Sequence, residues 1–244
     1  MYKRDRYKEG SMPYEWQPAL KEVAEKLGLI FFSSPFDFSG VDFLESINVP
    51  IYKIASFEIT DIPLIKYVAE KGKPIIISTG VAEISDIELA LETCREAGNE
   101  DITLLKCTSQ YPAKIEDANL RTILDMQQRF NVKIGVSDHT IGSLVPTVAV
   151  SLGATIVEKD FILNRNLGGP DASFSMEPEE FKNMVCSVRE VEKALGCVDY
   201  NVEEGNKLKR RSLFAIKKIN AGEIITMDNV KSLRPGYGLS PVYL

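Results

Sequence analysis

The chain has 244 residues, 44% of them hydrophobic, which suits one large domain or one domain with a small appendage. Its net charge of -6 and pI near 5.1 exclude the broad basic surface that a nucleic-acid partner requires. The opening MYKRDRYKEG is charged and holds no apolar core, and no apolar run approaches membrane-spanning length, so neither a secretory signal nor a membrane anchor is expected.

The cysteines at 94, 107, 186 and 197 show no close pairing, which is the pattern of reduced thiols in a cytoplasmic protein. Residues 15–27 have helical spacing and stop at Gly28. A βα rhythm follows. Strand-like runs fall at Leu29–Ser33, Ile51–Ala55, Pro74–Ser78, Ile102–Cys107, Val132–Val136 and Ala154–Glu158. Between them lie amphipathic segments at Val41–Ile47, Ile62–Lys71, Ile84–Ala97, Leu120–Arg129 and Leu144–Leu152, and a long helix at Pro178–Leu195 closes the series.

The strands are continuous apolar runs, the mark of a parallel sheet covered on both faces. No GxGxxG follows any of them, so a dinucleotide-binding sheet has no support. Just past the strands stand Ser33 and Ser34, Ser56 and Glu58, Ser78 and Thr79, Thr108 and Ser109, Ser137 and His139, and Lys159 and Asp160. Polar groups at every strand end fit the catalytic mouth of a (β/α) barrel, because a doubly wound sheet gathers its ligands at one switch point. Six strands fall short of the eight of a closed barrel. Period-two alternation also sets Lys53 opposite Ser56 and Glu58, so Lys53 joins the site only if the strand carries a bulge. Residues 197–211 read as a polar linker holding the basic cluster Lys207, Lys209, Arg210 and Arg211, and 212–244 as a small second region of short strands and turns.

Hydroxyls and lysines at such a mouth suit a phosphorylated substrate, with Ser34, Ser56, Ser78, Thr79 and Ser137 bonding phosphate oxygens and Lys53 and Lys106 supplying charge. His139 is the only histidine. With Asp160 beyond the neighbouring strand, and Glu158 and Asp138 close by, it suits Mn2+, Mg2+ or Fe2+ better than a closed zinc site; a hydrogen-bonded pair without metal is the plainer alternative. A Schiff base on Lys106 or Lys159, as in a class I aldolase, is the rival chemistry. Tyr111 and Pro112 are placed as a sugar-binding wall, and Gly168–Asp171 as a loop over the mouth.

FSSPFD (32–37), YKIASFE (52–58), IISTG (76–80), KCTSQYPA (106–113), GVSDHTIG (135–142), EKDF (158–161), GGPDASFSMEPEEF (168–181) and LRPGYGLSP (233–241) together resemble the nonulosonic (sialic) acid synthases, most closely their pseudaminic acid branch. The resemblance implies a metal-dependent TIM barrel, here 1–196 without its first two βα units, followed at 212–244 by the first part of an antifreeze-like (SAF) domain. It implies condensation of phosphoenolpyruvate with an acetamido sugar, 2,4-diacetamido-2,4,6-trideoxy-L-altrose in that branch. N-acetylneuraminate or legionaminate synthesis is the alternative, as is an inactive truncated paralogue that pairs with a complete subunit.

Position by position, the resemblance assigns Lys53, Ser56, Ser78 and Ser137 to phosphoenolpyruvate. Glu58 and Tyr111 face the sugar, and His139 binds Mn2+ or Mg2+. Arg234 reaches into the partner subunit's site in a domain-swapped homodimer. Asp160 stands where the family has a second metal-binding histidine, which implies an altered metal preference. The family's first two βα units carry an acidic residue and a lysine of its site, so the resemblance also implies a synthase fragment.

Overall fold

The computed structural model describes residues 12–244, and the charged opening segment lies outside the described residues. The chain divides into two compact units, one ending at Leu195 and the other running from Gly196 to Leu244.

In the first unit a short 3-10 turn, Tyr14–Trp16, leads into helix α1 (Gln17–Lys26), with proline in the first turn, where its missing N–H costs nothing. Five parallel strands follow in the order β1-β2-β3-β4-β5: β1 (Tyr52–Ile54), β2 (Ile75–Ser78), β3 (Ile102–Cys107), β4 (Lys133–Asp138) and β5 (Val157–Lys159). Helices α2 (Phe38–Ser46), α3 (Ile62–Ala69), α4 (Ile84–Glu96), α5 (Thr122–Phe130), α6 (Leu144–Ser151) and α7 (Pro178–Leu195) alternate with them.

Local chemistry sets these helix starts. Asp37 caps α2 by accepting from the Gly40 amide at 2.7 Å, and Asp61 caps α3 by accepting from the Leu64 amide at 3.1 Å. Glu83 and Asp86 form a reciprocal capping box on α4. At the other end of α5, Asn131 takes the left-handed conformation (φ 51°) that stops the helix.

Alternation along the strands sorts side chains into two layers. Tyr52, Ile54, Ile75, Ile77, Ile102, Leu104, Ile134 and Val136 join Val41, Leu64, Leu91 and Ile123 in the hydrophobic core between sheet and helices. Lys53, Ser78, Thr103, Cys107 and Ser137 take the opposite, concave face. The sheet curls into a half-barrel, because strand twist accumulates from neighbour to neighbour until β1 and β5 side chains meet across that face. Lys53 Nζ lies 3.3 Å from Glu158 Oε2. Gly135 of β4 permits the close packing beneath: a Cβ there would lie 2.5 Å from both the Ile156 carbonyl oxygen and Leu105 Cδ2.

Two expectations are corrected. Leu29–Ser33 forms no strand; only Ser33 bridges to Tyr52. Leu29 and Ile30 are exposed and only Phe31 packs against the core, so most of the run lacks the burial that would hold it in a sheet. Lys53 reaches the concave face without a bulge. β1 ends at Ile54 and a 3-10 turn, Ser56–Glu58, takes over, so strand alternation does not extend to Ser56 and Glu58.

The second unit pairs β6 (Ser212–Ala215) with β7 (Val230–Leu233) antiparallel, Ser212 opposite Leu233 and Ala215 opposite Val230. Residues 197–211, read as a linker, contain a one-turn helix, α8 (Glu204–Lys207). Ser212 Oγ donates to the Pro235 carbonyl at 2.6 Å, and Asn229 is buried with its amide on the Ile224 carbonyl at 3.0 Å. Among the described residues no helix is long and apolar enough to cross a membrane.

Candidate active site

The carboxyl ends of β3, β4 and β5 hold three successive rungs. On the first, Cys107 of β3 aligns with Ser137 of β4, and Ser137 with Glu158 of β5. Ser137 Oγ donates to Glu158 Oε1 at 2.6 Å, while the other carboxylate oxygen holds Lys53. On the second, Asp138 aligns with Lys159 and the two form a fully buried ion pair at 2.7 Å. One step further, His139 Nδ1 meets Asp160 Oδ2 at 2.8 Å.

The opposite edge of the imidazole points to a thiol. Cys107 Sγ lies 3.8 Å from His139 Nε2 and 3.6 Å from Ser109 Oγ. Burial alone would push the imidazole down, but the Asp160 carboxylate and Cys107 outweigh it and raise the pKa to about 9. Burial alone would push the thiol up, yet His139 and the surrounding Ser56, Ser137 and Ser109 hydroxyls bring it down to about 7. At neutral pH the pair therefore tends to imidazolium and thiolate, with both ring nitrogens donating.

Hydroxyls enclose the sulfur. Ser56 Oγ accepts from the Gly80 amide at 3.1 Å, and a Cβ at Gly80 would come within 2.1 Å of Ser109 Oγ and 3.0 Å of Cys107 Sγ and Ser56 Oγ. Ser78 Oγ is buried without a hydrogen-bond partner, as is Glu58 Oε2. Desolvation raises the Glu58 pKa, against the opposing pull of its own backbone amide and of Lys53. Tyr111, half exposed, lays its ring 4.3 Å from the imidazole, and buried Phe174 stands 6.4 Å from the imidazole and 6.1 Å from Tyr111.

The structure thus gathers Lys53, Ser56, Tyr111, Ser137, His139 and Asp160, with Ser78 at the end of β2 and Glu58 in the 3-10 turn that follows β1. Ser34, one residue past the bridge from Ser33 to Tyr52, lines a cavity of ≈ 530 Å³ with Tyr14, Gln17, Ser33, Phe36 and Asp37. Arg234 belongs to the second unit, directly after β7. Lys159 is withdrawn from any Schiff-base role, because its ammonium is held by Asp138 and the Thr140 carbonyl on the helix side of the sheet. Lys106 is buried with its amine pushed down by desolvation and donates to Thr108 Oγ1 at 2.6 Å.

Sequence reasoning read Cys107 only as a reduced thiol and gave Glu158 no role of its own. Their signal was positional: each ends or nearly ends a strand on the polar side of the alternation. His139 and Asp160 supply two donors of the kind a hard divalent ion accepts when water and substrate fill its other positions. Among the described residues no group of three or more His, Cys, Asp or Glu side chains is arranged to hold a metal.

Residues 2–200 match the family model described as "NeuB family". The chain belongs to the NeuB family. This NeuB chain is 48% identical over 241 residues to the pseudaminic acid synthase of Helicobacter pylori, an alignment covering 97% of this chain and 71% of that protein. To the N,N'-diacetyllegionaminic acid synthase of Legionella pneumophila it is 38% identical, with 98% and 72% covered. Its fold is similar to the crystal structure of an N-acetylneuraminic acid synthetase from Leptospira borgpetersenii in complex with citrate, with a TM-score of 0.76, 34% identity, and 81% of this chain and 69% of that one covered.

Proposed function

We propose that this NeuB-family chain carries the condensation of phosphoenolpyruvate with 2,4-diacetamido-2,4,6-trideoxy-L-altrose to pseudaminic acid and phosphate. The observation that carries the reading is the continuous polar network at the strand ends, from Lys53 through Glu158, Ser137 and Cys107 to His139 and Asp160. The 48% identity to a pseudaminic acid synthase favours that acceptor over the legionaminate type, matched at 38%.

In this reading Lys53, Ser34, Ser56, Ser78 and Ser137 hold phosphoenolpyruvate. The orphaned Ser78 hydroxyl suits a phosphate or carboxylate oxygen, because a buried donor without a partner costs free energy until one arrives. Glu58, its pKa raised by desolvation, and half-exposed Tyr111 face the acceptor sugar. C3 of phosphoenolpyruvate bonds to the aldehyde carbon, whose oxygen takes up a proton. Water adds at C2 and phosphate leaves with cleavage of its C–O bond.

The imidazolium of His139, held by Asp160, is placed to give or stabilise a proton at the developing alkoxide. A divalent ion, Mn2+ or Mg2+, would replace that proton: it would be held by the neutral imidazole of His139 and by Asp160, and would polarise the aldehyde in the proton's place. Arg234 would serve the site of a partner subunit in a domain-swapped homodimer of a cytoplasmic enzyme.

The five-stranded half-barrel is read as part of an eight-stranded barrel, with 197–211 as a linker and 212–244 as the first part of a SAF domain. The test is phosphate release on mixing the protein, Mn2+, phosphoenolpyruvate and the altrose derivative, with the product identified by mass. Release only with N-acetylmannosamine or the legionaminate precursor would transfer the chain to another branch. No release with any of them would defeat the reading.

A further inference from the structure

We infer that the buried pair Asp138–Lys159 is a positioning device for the imidazole, holding His139 and Asp160 at their bonding distance. The two side chains cross-link β4 and β5 one residue before His139 and Asp160, with Nζ to Oδ2 at 2.7 Å and both side chains 1% exposed. The pair lies on the helix side of the sheet, opposite Ser137 and Glu158, and touches neither substrate side nor mouth.

Its bonds reach past the histidine on both sides. Asp138 precedes His139, and its carboxylate accepts from the Thr140 amide at 2.9 Å and from Thr140 Oγ1 at 3.1 Å. Lys159 donates to the Thr140 carbonyl as well as to Asp138. Residues 138 and 140 are therefore tied to one buried ion pair, and the His139 backbone between them is left little freedom. Its carbonyl is pinned from the other side by the Ala113 amide at 3.0 Å. Asp160 is fixed in the same way: it follows Lys159 directly, and its carbonyl accepts from the Met176 amide at 2.9 Å.

Burying two charges is costly, and an apolar pair would hold two strands together as well. What the ion pair adds is register. A slip of one residue between β4 and β5 would leave two unpaired charges in the core, so the strands have one permitted alignment, and that alignment sets His139 against Asp160.

The kinetic part of this inference rests on the synthase reading; the spectroscopic part does not. The chain's single histidine gives one imidazole signal in NMR of histidine-labelled protein. In the unaltered protein the Nδ1 proton, bonded to Asp160, is expected as a slowly exchanging resonance. Lys159→Met should abolish that resonance in folded protein and lower kcat about 100-fold, as expected when a catalytic group is displaced by about 1 Å. KM for phosphoenolpyruvate should stay within about threefold, since the substrate's own contacts are untouched. Lys159→Arg should restore both the resonance and most of kcat.

A folded Lys159→Met that keeps the resonance overturns the inference, whatever its melting temperature. If Lys159→Met does not fold, the near-isosteric Asp138→Asn is judged by the same signal. An unaltered protein that releases no phosphate defeats the synthase reading alone, and the resonance still decides the positioning role.

Discussion

Lys53 and Glu158 sit on the first and last strands of the parallel sheet, yet their charged ends stand 3.3 Å apart across its concave face. Curvature accounts for the meeting: twist summed over five strands turns the edges toward each other and closes a polar network over the carboxyl ends. Glu158 is the shared node, since its second oxygen accepts from Ser137 at 2.6 Å.

Glu158→Gln should therefore separate two effects. It removes the counter-charge of buried Lys53 and should cost about 1–2 kcal/mol, a value moderated by the part-exposed carboxylate. Phosphate release should fall further than stability does, by about 100-fold, because the network that presents Lys53 and Ser137 is broken. Urea unfolding read beside phosphate release checks both, and an active variant with lost stability would make Glu158 purely structural.

The pH dependence of stability has an unusual expected shape. His139 is raised from 6.5 to about 9, so its contribution is full below 6.5 and fades as pH rises through 9. Cys107 is lowered from 9.0 to about 7, so its contribution is full above 9 and fades as pH falls through 7. Between about 7 and about 9 the native state holds a proton on the imidazole and the unfolded state holds one on the thiol. Proton counts then match and unfolding free energy should be flat. Cys107→Ser removes the compensation, so stability should fall as pH rises from 6.5 towards 9. Denaturant titrations at several pH values test this, and a sloped profile in the unaltered protein would contradict the imidazolium–thiolate assignment.

Two glycines should respond differently to alanine. At Gly135 the added methyl meets a backbone carbonyl 2.5 Å away, which cannot rotate aside, so Gly135→Ala should lose about 3 kcal/mol or more. At Gly80 the nearest atom is the Ser109 hydroxyl, which can rotate. Gly80→Ala should cost about 1 kcal/mol while lowering turnover at least about 10-fold, because Ser109 and Ser56 leave their places around Cys107. Melting temperatures and phosphate release on the two variants give the comparison.

Removing divalent ions with EDTA should stop phosphate release, and Mn2+ should restore it. Asp160→Asn should weaken Mn2+ binding by about 10–100-fold and free His139 from its partner. Calorimetric Mn2+ titration of the unaltered protein and the variant measures this without recourse to turnover; equal affinities would remove Asp160 from the ion's shell.

The repeated apolar runs and capping residues were enough to place most elements. Ile102–Cys107 and Pro178–Leu195 form where the spacing puts them, because a buried strand and an amphipathic helix both write their period into the residues. His139 stood out as the only imidazole, at a strand end beside carboxylates. What stayed hidden needed neighbours from other strands. Leu29–Ser33 has strand composition but leaves Leu29 and Ile30 exposed; Lys53 has the wrong parity until β1 stops at Ile54. Cys107 becomes a site residue only through the imidazole and hydroxyls that surround its sulfur. Periodicity is a property of one segment and is legible in it, whereas the register and curl that bring Lys53, Glu158, Cys107 and His139 together depend on how separate segments pack, and only the folded sheet determines that.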